Sequence, residues 1–244
     1  MIPADTLQAT HPAATPGSPL VALAAPDSAA AEQYRVLYQR VVRLAARRPM
    51  RVVAVTSASR GEGRTLTAAN LALTAAQEGR AVALVEADVR RPALGALFGL
   101  APRAGLAEVL EGTAELSQAV AHVGALSVLC AGAVRDAAAL LRHPRAAVVM
   151  DQLRAAYDLV VLDAPPALAF SDGDRLAGAA DSALLVVRAG VTPRQVVRLA
   201  LESLGDLAAG LVLNDVDADA VSHGRWLYGG TGDGARVVAS RRTG

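Results

Sequence analysis

Two hydrophobic rhythms alternate along most of the chain. From Arg51 onward, short runs that are apolar throughout give way to stretches whose apolar positions recur every three or four residues. The short runs predict strands over Val52–Thr56, Val82–Glu86, Ser127–Cys130, Leu159–Asp163, Ala183–Val187 and Leu211–Asn214. The longer rhythm predicts helices near 65–78, 93–98, 104–111, 145–157, 172–179 and 193–206. Gly79 closes the first of these helices, and Pro92, Pro144 and Pro193 stand where others begin. Strands that are apolar on both faces must be covered on both faces. The alternation therefore predicts an α/β fold, a doubly wound and mostly parallel sheet with helices on both sides, whose ligand site lies at the carboxyl ends of the strands.

The flanks follow other patterns. Residues 1–30 hold five of the twelve prolines and show no period, which reads as a flexible leader. From Ala31 to about Arg48 a helical spacing returns in Tyr34, Leu37, Val41 and Leu44. Beyond residue 215 the chain turns rich in Gly and Asp and reads as a mobile tail. The expected organisation is a leader (1–30), one folded domain (31–214) and a tail (215–244).

Composition narrows the class. Of 244 residues 53% are apolar and 19% charged, which excludes a mainly disordered chain. No run approaches the roughly 18 uninterrupted apolar residues of a spanning helix, and the opening residues show no secretory pattern. Cys130 is the single cysteine and has no internal disulfide partner, as expected in a reducing cytoplasm. Net charge is +1, and all 24 basic residues are arginine. Six of them, Arg35, Arg40, Arg43, Arg47, Arg48 and Arg51, lie within 31–51 against the single acid Glu32. That helix is either a solvated face or a dock for an acidic segment or anionic lipid. Nucleic acid is not favoured, because neither helix-turn-helix punctuation nor an aromatic platform accompanies the charge.

Three segments carry chemistry. Ser57-Ala58-Ser59-Arg60-Gly61-Glu62-Gly63-Arg64-Thr65 follows a strand and opens a helix at Leu66. Glycines in such a turn let backbone amides converge on phosphate oxygens, and the helix start adds partial positive charge. Thr65 would offer its hydroxyl to Mg²⁺. The phosphate-loop pattern G-x-x-x-x-G-K-[ST] is met except at Ala58, in place of the first glycine, and Arg64, in place of the lysine. Next, Glu86-Ala87-Asp88 at a strand end places two carboxylates two residues apart, pointing the same way in an extended chain. Beside a triphosphate they could hold Mg²⁺ or accept a proton, whereas neutralisation by Arg90 and Arg91 is the structural alternative. Last, the strand Leu159–Asp163 delivers Asp163 to Ala164-Pro165-Pro166, the form of a carboxylate that orders metal-bound water.

In this order the three segments resemble the bacterial tyrosine autokinases of capsule and exopolysaccharide biosynthesis. Glu32-Gln33-Tyr34-Arg35, Gly105-Leu106, Ala131-Gly132 and Val187–Thr192 extend the likeness over about residues 31–215. The resemblance implies a P-loop fold and ATP with Mg²⁺ on Ala58, Ser59, Arg60, Gly61, Glu62, Gly63, Arg64, Thr65 and Leu66. It implies Thr65, Asp88 and Asp163 around the metal, Arg64 on the β/γ-phosphates, and Glu86 as base with Asp88 beside it. It also implies a cytoplasmic protein recruited to the inner face of the membrane by the cytoplasmic segment of a polysaccharide co-polymerase, and assembly with further copies of itself.

Departures from the family pattern matter too. Arg64 replaces lysine and Glu86 replaces aspartate; Tyr38 stands where the family's subunit-contact motif ends in arginine. In place of a tail cluster of tyrosines there is Tyr228 alone, the candidate phosphoacceptor, because Tyr34, Tyr38 and Tyr157 fall on expected helices. Three functions remain open on sequence: a tyrosine kinase, a non-catalytic nucleotide-binding regulator of the same assembly, and a partition or division-site ATPase. The last needs a lysine early in the loop, where Ser59 stands.

Overall fold

The most apolar runs lie at the centre of the sheet. In the computed structural model, which describes residues 18–169 and 177–216, β1 (Val52–Ser57), β2 (Val82–Glu86) and β5 (Leu159–Asp163) are buried at every position. With β3 (Ala121–Val123), β4 (Leu126–Leu129), β6 (Ser182–Arg188) and β7 (Ala208–Asn214) they form one sheet in the order β3-β4-β2-β5-β1-β6-β7. Every pairing is parallel except that of β3 with β4. The register sets Val55 against Asp163 on one side of β5 and Glu86 against Asp163 on the other. Three strand ends thereby meet at one edge.

The helices are α1 (Val21–Ala24), α2 (Ala29–Ala45), α3 (Arg64–Gln77), α4 (Leu94–Leu97), α5 (Leu106–Glu111), α6 (Leu116–Ala119), α7 (Ala137–Leu141), α8 (Ala146–Ala156) and α9 (Arg194–Leu204). Strand alternation divides the core between the two faces. Val53, Val55, Leu84 and Val161 face α3, whereas Val52, Ala54, Val85 and Leu162 face the side covered by α5, α8 and α9. Helix α3 is buried continuously from Thr67 to Ala76. Its alanines Ala68, Ala69, Ala72, Ala75 and Ala76 keep it thin, so it fits between the sheet and α2. Helix α2, capped by Ser28 Oγ on the Ala31 amide at 3.1 Å, lays Tyr34, Leu37, Tyr38 and Val41 on that layer.

The structure corrects the sequence reading at three places. Residues 18–30 are not a flexible leader: Leu20 and Ala22 are both 3% exposed in the core shared with α3. Asn70, itself 1% exposed, clasps this segment, accepting from the Ala22 amide at 3.0 Å and donating to Pro19 O at 3.1 Å. Gln77 adds a bond to Ala22 O at 2.9 Å. The edge strand β3 is new, being three residues long with His122 at its middle and too short for a visible apolar run. The short helices α6 and α7 also escaped the periodicity. Most of the helix expected over 172–179 lies outside the described residues, with a 3₁₀ turn at Ala177–Ala179, and so do residues 1–17 and the tail from 217, including Tyr228.

Candidate functional site

The loop between β1 and α3 owes its shape to two glycines with positive φ, Gly61 at +75° and Gly63 at +88°. At Gly63 space is as restrictive as backbone: a Cβ there would lie 2.0 Å from Asn214 Nδ2. Asn214, at the end of β7, donates to Glu62 O at 2.9 Å and ties the loop to the far strand. The Glu62 side chain turns inward at 3% exposure. It accepts from the Ser59 amide at 2.8 Å and from the Thr192 hydroxyl. Ala58 is buried beneath the loop, Ser59, Arg60 and Gly61 are exposed at its rim, and Leu66 is half-buried. The first α-helical bond of α3 runs from Thr67 N to Gly63 O at 2.9 Å. Amides of Arg64, Thr65 and Leu66 precede it, so they have no acceptor inside the helix. That is the donor set an anionic phosphate needs.

Asp88 arrives through backbone hydrogen bonds. The amides of Ala87 and Asp88 both donate to Asp163 O, at 3.0 and 2.9 Å, which folds the chain leaving β2 over the end of β5. Thr56 Oγ1 donates to Pro165 O at 2.6 Å and fixes the proline loop against β1. Thus Arg64, Thr65, Asp88 and Asp163 come together. The Arg64 guanidinium pairs through Nη2 with Asp88 Oδ2, and its Nε lies 3.8 Å from Asp163 Oδ1. Asp88 is 5% and Asp163 2% exposed. Burial pushes the Asp163 carboxyl up to about 7; the Thr65 hydroxyl and Arg64 oppose that rise, and Glu86 and Asp88 add to it. Arg64 Nε and Asp163 Oδ1 are both buried without a hydrogen-bond partner. A buried carboxylate oxygen left open, with the Thr65 hydroxyl and the Asp88 carboxylate among its neighbours, offers the oxygen ligands that fit a nucleotide-bound Mg²⁺.

Glu86 departs from expectation. The strand ends at Glu86, so its alternation does not carry on to Asp88 and the two carboxylates part. Glu86 Oε1 accepts from the amides of Ala93 and, at 2.6 Å, Leu94; Oε2 accepts from the Ala131 amide at 2.9 Å. At 1% exposure it clamps the start of α4 to the loop after β4 and is not placed as a base. Arg90 and Arg91 are exposed, and the cation that pairs Asp88 is Arg64. Sequence reasoning missed the loop contacts of Thr192 and Asn214 because both come from more than a hundred residues away. Burial pushes the Cys130 thiol up to about 11.

The basic segment is partly spoken for. Arg35 bonds Glu32 Oε2 at 2.8 Å, Arg48 bonds Ser182 Oγ at 2.8 Å, and Arg51 bonds Arg154 O at 2.9 Å. Tyr34 and Tyr38 are buried, and Tyr157 is half-buried. Among the described residues no helix is long and apolar enough to cross a membrane.

Known proteins resemble this chain in sequence and fold. The family described as "ParA: NUBPL iron-transfer P-loop NTPase" matches residues 48–189. Tyrosine-protein kinase YwqD of Bacillus subtilis (strain 168) is 34% identical over 218 residues, covering 88% of this chain and 92% of the relative. Succinoglycan biosynthesis transport protein ExoP of Rhizobium meliloti (strain 1021) is 33% identical over 202 residues, 79% of this chain and 26% of ExoP. This chain thus spans about a quarter of that second relative's length. The kinase domain of the Escherichia coli tyrosine kinase ETK superposes with a TM-score of 0.74 at 30% identity, covering 83% of this chain and 82% of that one.

Proposed function

Because the chain belongs to the bacterial tyrosine-protein kinases, P-loop NTPases of the ParA type, we propose that it transfers the γ-phosphoryl group of ATP to tyrosine. The observation that carries this reading is the meeting of the Arg64, Thr65, Asp88 and Asp163 side chains at the start of α3. In the proposed reaction the tyrosine oxygen bonds to the γ-phosphorus, and the bond from that phosphorus to the β–γ bridging oxygen breaks. ADP leaves with the electron pair. Glu86 is held by three amides, so Asp88 is the carboxylate assigned to take the hydroxyl proton. The loop amides hold the phosphates in place while Arg64 offsets their charge. Thr65, Asp88 and Asp163 would hold Mg²⁺, which supplies charge neutralisation at the phosphates.

The setting we propose is control of exopolysaccharide or capsule synthesis, at the inner face of the membrane, together with the cytoplasmic segment of a co-polymerase. The likeness to YwqD and ExoP supports it. Tyr38 is buried where the family's contact motif ends in arginine, so assembly of copies through α2 would rest on Glu32 and Arg35. Tyr228 is the proposed acceptor within the chain. Incubating the purified chain with γ-labelled ATP and Mg²⁺, with and without the partner segment, tests the reading. Label in phosphotyrosine supports it. Nucleotide binding with no phosphotyrosine under either condition assigns the chain to the non-catalytic regulator instead.

A further inference from the structure

A lysine at position 64 would bring one compact charge to the phosphate loop; arginine brings a planar fork that reaches two partners at once. Here it does so. The guanidinium pairs with Asp88 Oδ2 through Nη2 and stands with Nε 3.8 Å from Asp163 Oδ1. All three side chains are enclosed, at 12%, 6% and 2% exposure. These two aspartates are also the carboxylates assigned to the metal, and Asp163 Oδ1 is the buried oxygen without a hydrogen bond. A divalent cation bound there would lie within a few ångströms of the guanidinium, in surroundings that screen charge poorly.

We propose that Arg64 is the resident counter-ion of the Asp88–Asp163 pair, and that guanidinium and divalent cation exclude one another until a nucleoside triphosphate draws the guanidinium away. The inference rests on the nucleotide-binding reading above and adds an order of events to it. Metal binds the free protein only weakly. Triphosphate, held by the amides of Arg64, Thr65 and Leu66, offers the guanidinium a richer set of oxygens, and the vacated carboxylates then take the cation. Arg64 thus couples metal affinity to nucleotide occupancy, and without nucleotide it leaves the acidic pair neutralised.

Mn²⁺ tests this through the electron paramagnetic resonance signal of the free ion, titrated into the full chain with and without a non-hydrolysable ATP analogue. Wild type is expected to bind Mn²⁺ weakly alone and tightly with the analogue. Arg64→Gln is expected to bind Mn²⁺ alone on the order of tenfold more tightly than wild type, and adding Asp163→Asn to remove that gain. Should Arg64→Gln fail to fold, Arg64→Lys serves: its shorter side chain reaches one carboxylate at a time, so Mn²⁺ affinity without nucleotide still rises. Equal Mn²⁺ affinity in wild type and variant without nucleotide, with the analogue still bound by both, overturns the inference and leaves the nucleotide reading intact. Failure of wild type to bind the analogue with Mn²⁺ overturns the nucleotide reading itself, and the coupling with it.

Discussion

The Arg64 Nε and the Asp163 Oδ1 stand 3.8 Å apart, both buried, with no hydrogen bond between them or to any other group. An ion pair held that way gains little from geometry, and the cost of removing both charges from water is undiminished. It marks a site shaped for something other than this pair. Arg64→Lys should therefore raise the rate of ATP turnover, since an ammonium meets the phosphates without a fork to accommodate. Arg64→Ala should lower it on the order of a hundredfold, the usual loss for one transition-state charge partner. Steady-state turnover of the two variants checks both; a loss with lysine means the loop has adapted to arginine.

Glu86→Gln separates support from chemistry. The carboxylate accepts three amides from two loops, and a side-chain amide presents one acceptor oxygen where two are needed. Stability should fall by about 2 kcal/mol or more, while turnover per folded molecule stays within a few fold. Denaturant unfolding beside a rate measurement reads both, and lost turnover at unchanged stability would restore Glu86 as the base.

The central strands, the phosphate loop and the Asp163 strand end were legible because each is signalled by neighbouring residues. What sequence missed depends on distance or on where an element stops. Glu86 and Asp88 point alike only while the strand continues, and it ends at Glu86. Thr192 and Asn214 meet the loop through crossovers that no local pattern shows. The proline-rich start read as a leader because nothing in it announces that α3 presents a surface for Leu20 and Ala22.

That start has its own test. Asn70→Ala removes the acceptor for Ala22 N and the donor for Pro19 O and Leu66 O, all in or near the core. A loss of about 1–3 kcal/mol is expected. Hydrogen exchange should show protection lost at Ala22 while β1 and β5 keep theirs; retained protection at Ala22 would show that packing alone holds the strap.

Asp181 gives the fold an acid dependence. Burial by itself would raise its carboxyl, but the amides of Val52 and Arg51 and the Arg154 guanidinium outweigh burial and hold it below the ordinary carboxylate range. A depressed folded-state value stabilises above the unfolded value, near about 3.9. That contribution is lost as pH falls through the folded value. Asp181→Asn should therefore melt lower than wild type at neutral pH, with the gap closing as pH drops below about 4. A gap that is constant across the acid range would contradict the assignment.

The central claim is that the loop over residues 58–66 binds nucleotide with a metal held by Asp163, and a ligand that binds the native state must raise its melting temperature. Thermal melts of wild type and Asp163→Asn, each with no nucleotide, with ATP alone and with ATP and Mg²⁺, test it most directly. The expected result is a rise with ATP in both proteins and a further rise with Mg²⁺ in wild type only. An unchanged melting temperature of wild type at millimolar ATP and Mg²⁺ would contradict the account.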